Sequence, residues 1–550
     1  MQFRTYITLT SVALALLLSG CLDMEVDNPN APDAEQALNT PGDIESLAGD
    51  QFLQWWNGTQ KSYPGYTMAV MGQELTSSYG NFGKFDLGRQ PREQFINTPT
   101  YDYRDMVDTP WSNIYAAINS SIEVLNQMDD PDFSLDSEQD ETRMEMFVTF
   151  VKGLSYNSLA NQFDRTILVD SDDELIDEDG QPVIFDPPSE PNYEEALDFG
   201  LEKLADAQEM AEANPDIMIP GDWLLMESDM DMDGFVQLIN SYRARMIPAN
   251  TRTPDERDDL DWGQIIEYAE NGYPGDVIME ADGSLQWSFS VNLYNEALWH
   301  RVNYELIGRT DQSGNFEGWL DTDLLDRTAV VLDTEDERIA DTEEDVAEAD
   351  NPYVQFAGPA PHPPNRGTYF HSNYATQRNL DTYWAGLIGP MPHIYRTEID
   401  MIIAEGMLRT EGESSEVADM INETRVDNGG LEPVEEGDGY DELFNAMRYE
   451  LEMETLGSSA GIAYYNKRGW GDLKGDYDYG GLPDGTPLHF PIPAEELEGV
   501  LQMDPYTFGG QDDDDWGAGA QANDRAAGIN TDRIIEAMRA AHEKEPDIIK

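Results

Sequence analysis

The stretch Trp111-Ser112-Asn113-Ile114-Tyr115-Ala116-Ala117-Ile118-Asn119-Ser120-Ser121-Ile122-Glu123-Val124-Leu125 sets the fold class. Trp111, Ile114, Tyr115, Ile118, Ile122 and Leu125 recur at 3.6-residue spacing, so they share one face of a helix. The same period returns along the chain. Ile44, Leu47, Ala48 and Phe52 predict a first helix. Phe147, Phe150, Val151 and Leu154 predict another, as do Tyr193, Leu197, Leu201 and Leu204 after the Pro187-Pro188 break. Phe235, Leu238, Ile239, Tyr242 and Met246 follow, with Asp233 as the expected N-cap. Then come Trp262, Ile265, Ile266 and Ala269; Tyr395, Ile399, Ile402, Ile403 and Met407; Val417, Met420 and Ile421; and Leu443, Phe444, Met447 and Leu451. The expected fold is mostly α, built of tetratricopeptide-like helical hairpins with long irregular loops. No clean 34-residue repeat is present.

Four Gly- and Pro-rich stretches separate the helices: Gln73 to Tyr103, Asn271 to Trp319, Asn351 to Pro392, and Gly469 to Pro493. Loops longer than about 15 residues are uncommon and usually functional, and the aromatic residues gather in these.

The N-terminus reads differently. Arg4 precedes an apolar run from Val12 to Leu18, then Leu18-Ser19-Gly20-Cys21, which resembles a bacterial lipoprotein lipobox. The resemblance implies cleavage before Cys21 and a diacylglycerol thioether on its sulfur. Cys21 is the single cysteine, so a disulfide within the chain is excluded. Residues 1–20 are then a signal peptide and 21–40 a polar tether, with the acids Asp23 and Glu25 just after the lipid. Beyond the leader no stretch has the ~20 apolar residues of a membrane helix.

Composition narrows the setting. The chain has 110 acidic and 32 basic residues, formally −78. Such a charge first suggests disorder, and the 11 Trp, 26 Tyr and 19 Phe argue against it. Calcium storage is one reading of the acids. Life in concentrated salt is the favoured one, because the acids are spread along the whole chain and Arg outnumbers Lys three to one. Nucleic acid would be repelled.

Several ordered segments resemble the SusD/RagB family of outer-membrane nutrient-binding lipoproteins. They are Asn28-Pro29-Asn30-Ala31-Pro32; the Trp111–Ile118 helix; Ser241-Tyr242-Arg243-Ala244-Arg245 before Asp261-Trp262; and Tyr395-Arg396-Thr397-Glu398-Ile399 leading to Ala404-Glu405-Gly406-Met407-Leu408-Arg409. Ile421-Asn422-Glu423-Thr424-Arg425 with Gly430-Leu431, Arg448-Tyr449-Glu450-Leu451-Glu452, Lys467-Arg468-Gly469-Trp470-Gly471 and Phe490-Pro491-Ile492-Pro493 complete the set. Gly406 stands where the family usually has Ala, Gly457–Gly461 replaces a bulky segment, and the acidic tail from Gln511 does not match. The resemblance implies a SusD-like body over 41–550, with an N-terminal part to about 270 and a C-terminal part to about 510. It also implies capture of an oligosaccharide, or a peptide, for a SusC-like TonB-dependent transporter, with no covalent chemistry and with a lipid anchor in the outer membrane facing the exterior.

A pyranose offers a face of C–H groups and a rim of hydroxyls, so its site needs aromatic platforms beside forked polar groups. The first long loop supplies Tyr79, Asn81, Phe82, Lys84, Arg89, Tyr101 and Tyr103. The second supplies Trp287, Tyr294, Trp299 and Trp319, and the third Tyr369, Tyr374, Tyr383 and Trp384. Any one of these rings could instead pin its loop to the helices. Asp229, Asp231 and Asp233 followed by Gly234 resemble the opening of a calcium loop, but the twelfth position is Asn240 rather than a bidentate Glu. Asp512 to Asp515 reads as a solvated run. The six histidines show no ligand spacing, and no catalytic motif is present. The competing functions are a surface glycoside hydrolase using two carboxylates and a structural or adhesive surface protein.

Overall fold

The structure, a computed structural model, describes residues 40–89, 97–130, 133–135, 137–171, 187–293, 299–349, 351–474, 486–499 and 506. Cys21, the leader, most of the 21–40 segment, Tyr294, Asp512 to Asp515 and the acidic tail lie outside the described residues. Residues 1–46 and 47–550 form two units. Of the first, the described part is the start of a helix, where Thr40 Oγ1 donates to Asp43 Oδ2 at 2.6 Å and accepts from the Asp43 amide. The rest of this account concerns the second unit.

Among the described residues the helices of nine or more residues are α1 Pro41–Thr59, α2 Ser62–Met71, α3 Asp105–Asp129, α4 Glu138–Gln162, α5 Tyr193–Ala213, α6 Met232–Asn250, α7 Trp262–Glu270, α8 Arg396–Thr410, α9 Ser415–Arg425, α10 Tyr440–Glu454 and α11 Ile462–Trp470. From α3 to α8 each helix packs on the next in sequence, and α8, α9 and α10 pack on one another. Helices adjacent in sequence are thus adjacent in space, as a stack of helical hairpins requires.

The α3 face read from the sequence is the one that is covered. Trp111, Ile114, Ile118 and Ile122 join Tyr156, Leu159, Phe163, Phe490 and Ile492 in one cluster. The Phe490-Pro491-Ile492-Pro493 motif is fixed there by backbone, with the Phe490 amide donating to Gln162 O at 2.8 Å and the Asp164 amide to Phe490 O at 3.0 Å. Helix α4 is central, since every residue from Met146 to Gln162 is buried. Its crossing with α5 is closed by two glycines. A Cβ on Gly200 would sit 2.1 Å from Asn157 Oδ1 and 2.8 Å from Gly153 O. The departure at Gly406 has the same cause, because a Cβ there would meet Ile266 Cγ1 of α7 at 2.8 Å.

Much of the scarce positive charge is spent inside. Arg257 grips Glu405 through two hydrogen bonds of 2.7 and 2.6 Å, with both side chains essentially unexposed. Arg338 reaches Asp336, Glu450 and Glu454. Arg468 has no acid partner among the described residues. It donates instead to the carbonyls of Asn161, Thr251, Ala249 and Leu488. Two of these belong to the last turns of α4 and α6, where carbonyls lack partners and the helix dipole is negative.

The long loops hold more regular structure than their composition suggests. Among the described residues there are nine short strands: β1 Leu75–Thr76, β2 Met218–Ile219, β3 Met230–Asp231, β4 Val277–Asp282, β5 Arg301–Val302, β6 Ile339–Ala340, β7 Val354–Phe356, β8 Tyr374–Thr376 and β9 Ile388–Ile394. β4 pairs antiparallel with β9, from Val277↔Ile394 to Asp282↔Ile388, which ties the second loop to the third. β1 pairs antiparallel with β5, Leu75↔Val302 and Thr76↔Arg301, which ties the first loop to the second. β7 joins β6 in parallel and β8 antiparallel. The cap of α6 lies two residues earlier than expected. Asp231, not Asp233, accepts from the Gly234 amide at 2.9 Å.

Candidate functional site

The β1–β5 pairing decides which loop rings meet. Beyond Thr76 and before Arg301 the two strands run on side by side, and Ser77 Oγ donates to Trp299 O. Tyr79 and Trp299 therefore come together edge to face, centroids 4.9 Å apart. Trp299 keeps 44% of its surface exposed. Tyr79 is held by its hydroxyl, which donates to Pro361 O at 2.9 Å, and by the ring of His362 at 5.5 Å. The third loop thus reaches the same place. A part-open indole braced by a tethered tyrosine is what a sugar face requires.

A second row of rings supports it. Phe82 stacks on Tyr66 at 5.0 Å and meets Tyr63 edge-on at 5.3 Å, while Tyr66 lies 5.8 Å from His300, the neighbour of Trp299. Phe82 has φ +57, a left-handed conformation that costs a non-glycine residue about 1–2 kcal/mol. The strain is met by Gly83, also left-handed, and by ring packing on both sides of Phe82. Lys84 Nζ lies 5.1 and 5.5 Å from the Tyr66 and Phe82 centroids. Asn81 is half-buried in the same turn, at residues 81–83. Arg89 and Arg366 both lie on the Phe85 ring, at 5.6 and 5.1 Å, and Arg366 donates to Ser78 O at 2.7 Å. Tyr101 donates to Asp86 Oδ2 at 3.3 Å and contacts Tyr103.

The histidines here are neutral. Burial, aided by Lys84 and Arg301, drives His300 far below the usual imidazole range. Burial, with Arg301 and His371 adding to it, brings His362 down to about 3.

The remaining expected site residues separate from this group. Trp319 is in the core, with 6% exposure, packed against Phe316 and Tyr304 and covered by Arg327 at 4.4 Å. It presents no platform, and the expectation that it would is corrected. Tyr369 and Tyr374 are also buried. Trp287 is half-buried with one face taken by Lys61 Nζ at 4.1 Å, and burial lowers that lysine to about 8. Tyr383 and Trp384 meet edge-on at 4.9 Å near the start of β9, where Trp384 and Ile388 are exposed. The calcium reading is also corrected. Asp229 Oδ1 accepts from the Gly221 amide and Asp231 Oδ1 from the Gly234 amide, both at 2.9 Å. Among the described residues no cluster of three or more His, Cys, Asp or Glu is placed to hold a metal ion.

Two other concavities compare poorly. A cavity of about 60 Å³ lined by Trp55, Tyr242, Arg245, His393 and Glu398 is far below the ~300 Å³ of a ligand pocket. A groove of about 1090 Å³ between α3, α4 and α5 is walled by Glu138, Glu141, Glu145, Asp206 and Glu209, and no aromatic ring lines it.

Sequence reasoning missed His362, Tyr63, Tyr66 and Arg366. None stood in a motif; His362 packs on Tyr79, Arg366 donates to Ser78 O, and Tyr63 and Tyr66 pack on Phe82.

No protein-family model and no curated protein sequence matches the chain. Solved structures do. A SusD superfamily protein from Bacteroides thetaiotaomicron VPI-5482 is 14% identical with a TM-score of 0.51, covering 84% of this chain and 98% of that one. A SusD-like protein from Bacteroides fragilis NCTC 9343 is 14% identical with a TM-score of 0.51, covering 87% and 98%. A SusD superfamily protein from Parabacteroides distasonis ATCC 8503 is 13% identical with a TM-score of 0.50, covering 86% and 99%. The chain has the SusD-like fold.

Proposed function

We propose that this chain is a SusD/RagB-type nutrient-binding lipoprotein that captures an oligosaccharide on the Tyr79–Trp299 face and delivers it to a SusC-like TonB-dependent transporter. The single observation that carries the reading is that the SusD-like fold presents a part-exposed indole, braced by a tethered tyrosine, where three long loops meet. Binding rather than catalysis is proposed because the described residues of this face offer stacking and hydrogen-bonding groups, and among them no pair of opposed acids stands beside Trp299. Cys21 carries the lipid that holds the protein at the exterior face of the outer membrane, with two acyl chains making the anchor stable.

The test is a calorimetric titration of the soluble body against the oligosaccharides and peptides that an array selects. Trp299→Ala is expected to lose about tenfold in affinity, roughly 1.4 kcal/mol. Array-selected ligands that bind the variant unchanged would remove this face from the site. Fractionation tests the anchor, since Cys21→Ser is expected to leave the outer membrane; a variant that stays there would refute the lipid.

A further inference from the structure

The chain carries 110 acids among 550 residues, yet the segments that build the platform contain almost none. Residues 351–380 hold no Asp or Glu, nor do residues 75–85 or 299–304. Of the acids that flank these segments, Glu74, Asp86 and Glu305 are buried, and Asp86 accepts from Tyr101. Cations gather instead. Lys84 lies beneath the Phe82 ring, Arg301 follows Trp299 by two residues, and Arg89 and Arg366 flank Phe85. Arg366 is exposed, and its bond to Ser78 O fixes it one residue from Tyr79. Burial holds the neighbouring His300 and His362 below the usual imidazole range, and Lys84 and Arg301 add to it in the same sense.

A surface of net charge −78 repels anions at long range. Clearing acids from three separate segments and placing an exposed guanidinium beside the platform has a use only if the ligand is itself negative. A neutral glycan needs no such inversion. A planar guanidinium fork matches a carboxylate or a sulfate through two parallel hydrogen bonds. In concentrated salt the Debye length falls to about 3 Å, so the global repulsion vanishes while pairing at contact distance survives.

We infer that the oligosaccharide taken on the Tyr79–Trp299 face is anionic, bearing carboxylate or sulfate groups that Arg366 receives beside the ring stacked on Trp299. This rests on the proposed binding function and narrows it to a substrate class.

The experiment compares matched probes on the full soluble body: tetragalacturonate against its methyl ester, and a sulfated chondroitin tetrasaccharide against its desulfated form, beside an array of neutral oligosaccharides. An anionic member that binds at least tenfold tighter than its neutral partner supports the inference, and which pair responds tells carboxylate from sulfate. Arg366→Gln should lose that margin and Arg366→Lys should restore part of it, with unchanged melting in both. Equal binding within each pair, or binding of neutral oligosaccharides alone, overturns the inference and leaves the uptake reading standing. Failure of every oligosaccharide to bind overturns both.

Discussion

Tyr79 and Trp299 meet edge to face with ring centroids 4.9 Å apart, although they come from loops far apart in the chain. Two residue pairs of antiparallel strand, Leu75↔Val302 and Thr76↔Arg301, are enough to bring them together. This meeting of rings thus depends on a pairing too short to leave a period in the sequence.

The contrast between Trp299 and Trp319 gives the first prediction. Trp319→Ala removes a core ring packed on Tyr304, Phe316 and Arg327, and should cost about 3–5 kcal/mol in denaturant unfolding. Trp299→Ala, at 44% exposure, should cost less than about 1 kcal/mol. Comparable losses for the two would contradict these placements.

That contrast also marks how far the sequence is legible. The α3 face was readable because Trp111, Ile114 and Ile118 are buried on one side and the other side is wet. Helix α2 was not, since it is buried on all sides and opens with Pro64-Gly65, which leaves no apolar stripe. Helix α11 lies between the left-handed Gly461 and Gly471, and those glycines read as loop. Tyr79, Phe82 and Trp299 were named as candidates by residue type alone. The same criterion picked Trp319, because a ring at the core and a ring at the surface are the same letter.

Stability should depend on pH through buried carboxyls. Burial raises Glu74, Asp164 and Glu305 to about 7. Their folded values lie above the unfolded ones, so their contribution is complete below the ordinary carboxylate range and is lost as pH rises through about 7. Glu405 works in the opposite sense. Burial alone would raise it, but Arg257 and Arg409 hold it down at about 2, so its contribution persists until pH falls through that value. The unfolding free energy in molar salt should therefore be higher at pH 5.5 than at pH 8, by up to about 2 kcal/mol for each of the three carboxyls. A flat profile, or a rise toward pH 8, would contradict the burial of these acids.

Salt should stabilise the fold. Arg252, Arg257, Arg338, Lys467 and Arg468 are buried, so the surface is more one-sidedly acidic than the composition indicates. Screening relieves that self-repulsion. The melting temperature is expected to climb between 0.1 M and 2 M salt. A temperature that falls or stays level would set aside concentrated salt as the protein's setting.

The most direct measurement is a crystal structure of the protein with the tightest-binding oligosaccharide. The account predicts a sugar ring lying flat on the open face of Trp299 at van der Waals distance, with Tyr79 at its edge. A ligand seated instead on Trp384 and Ile388, or in the acidic groove between α3, α4 and α5, would contradict it.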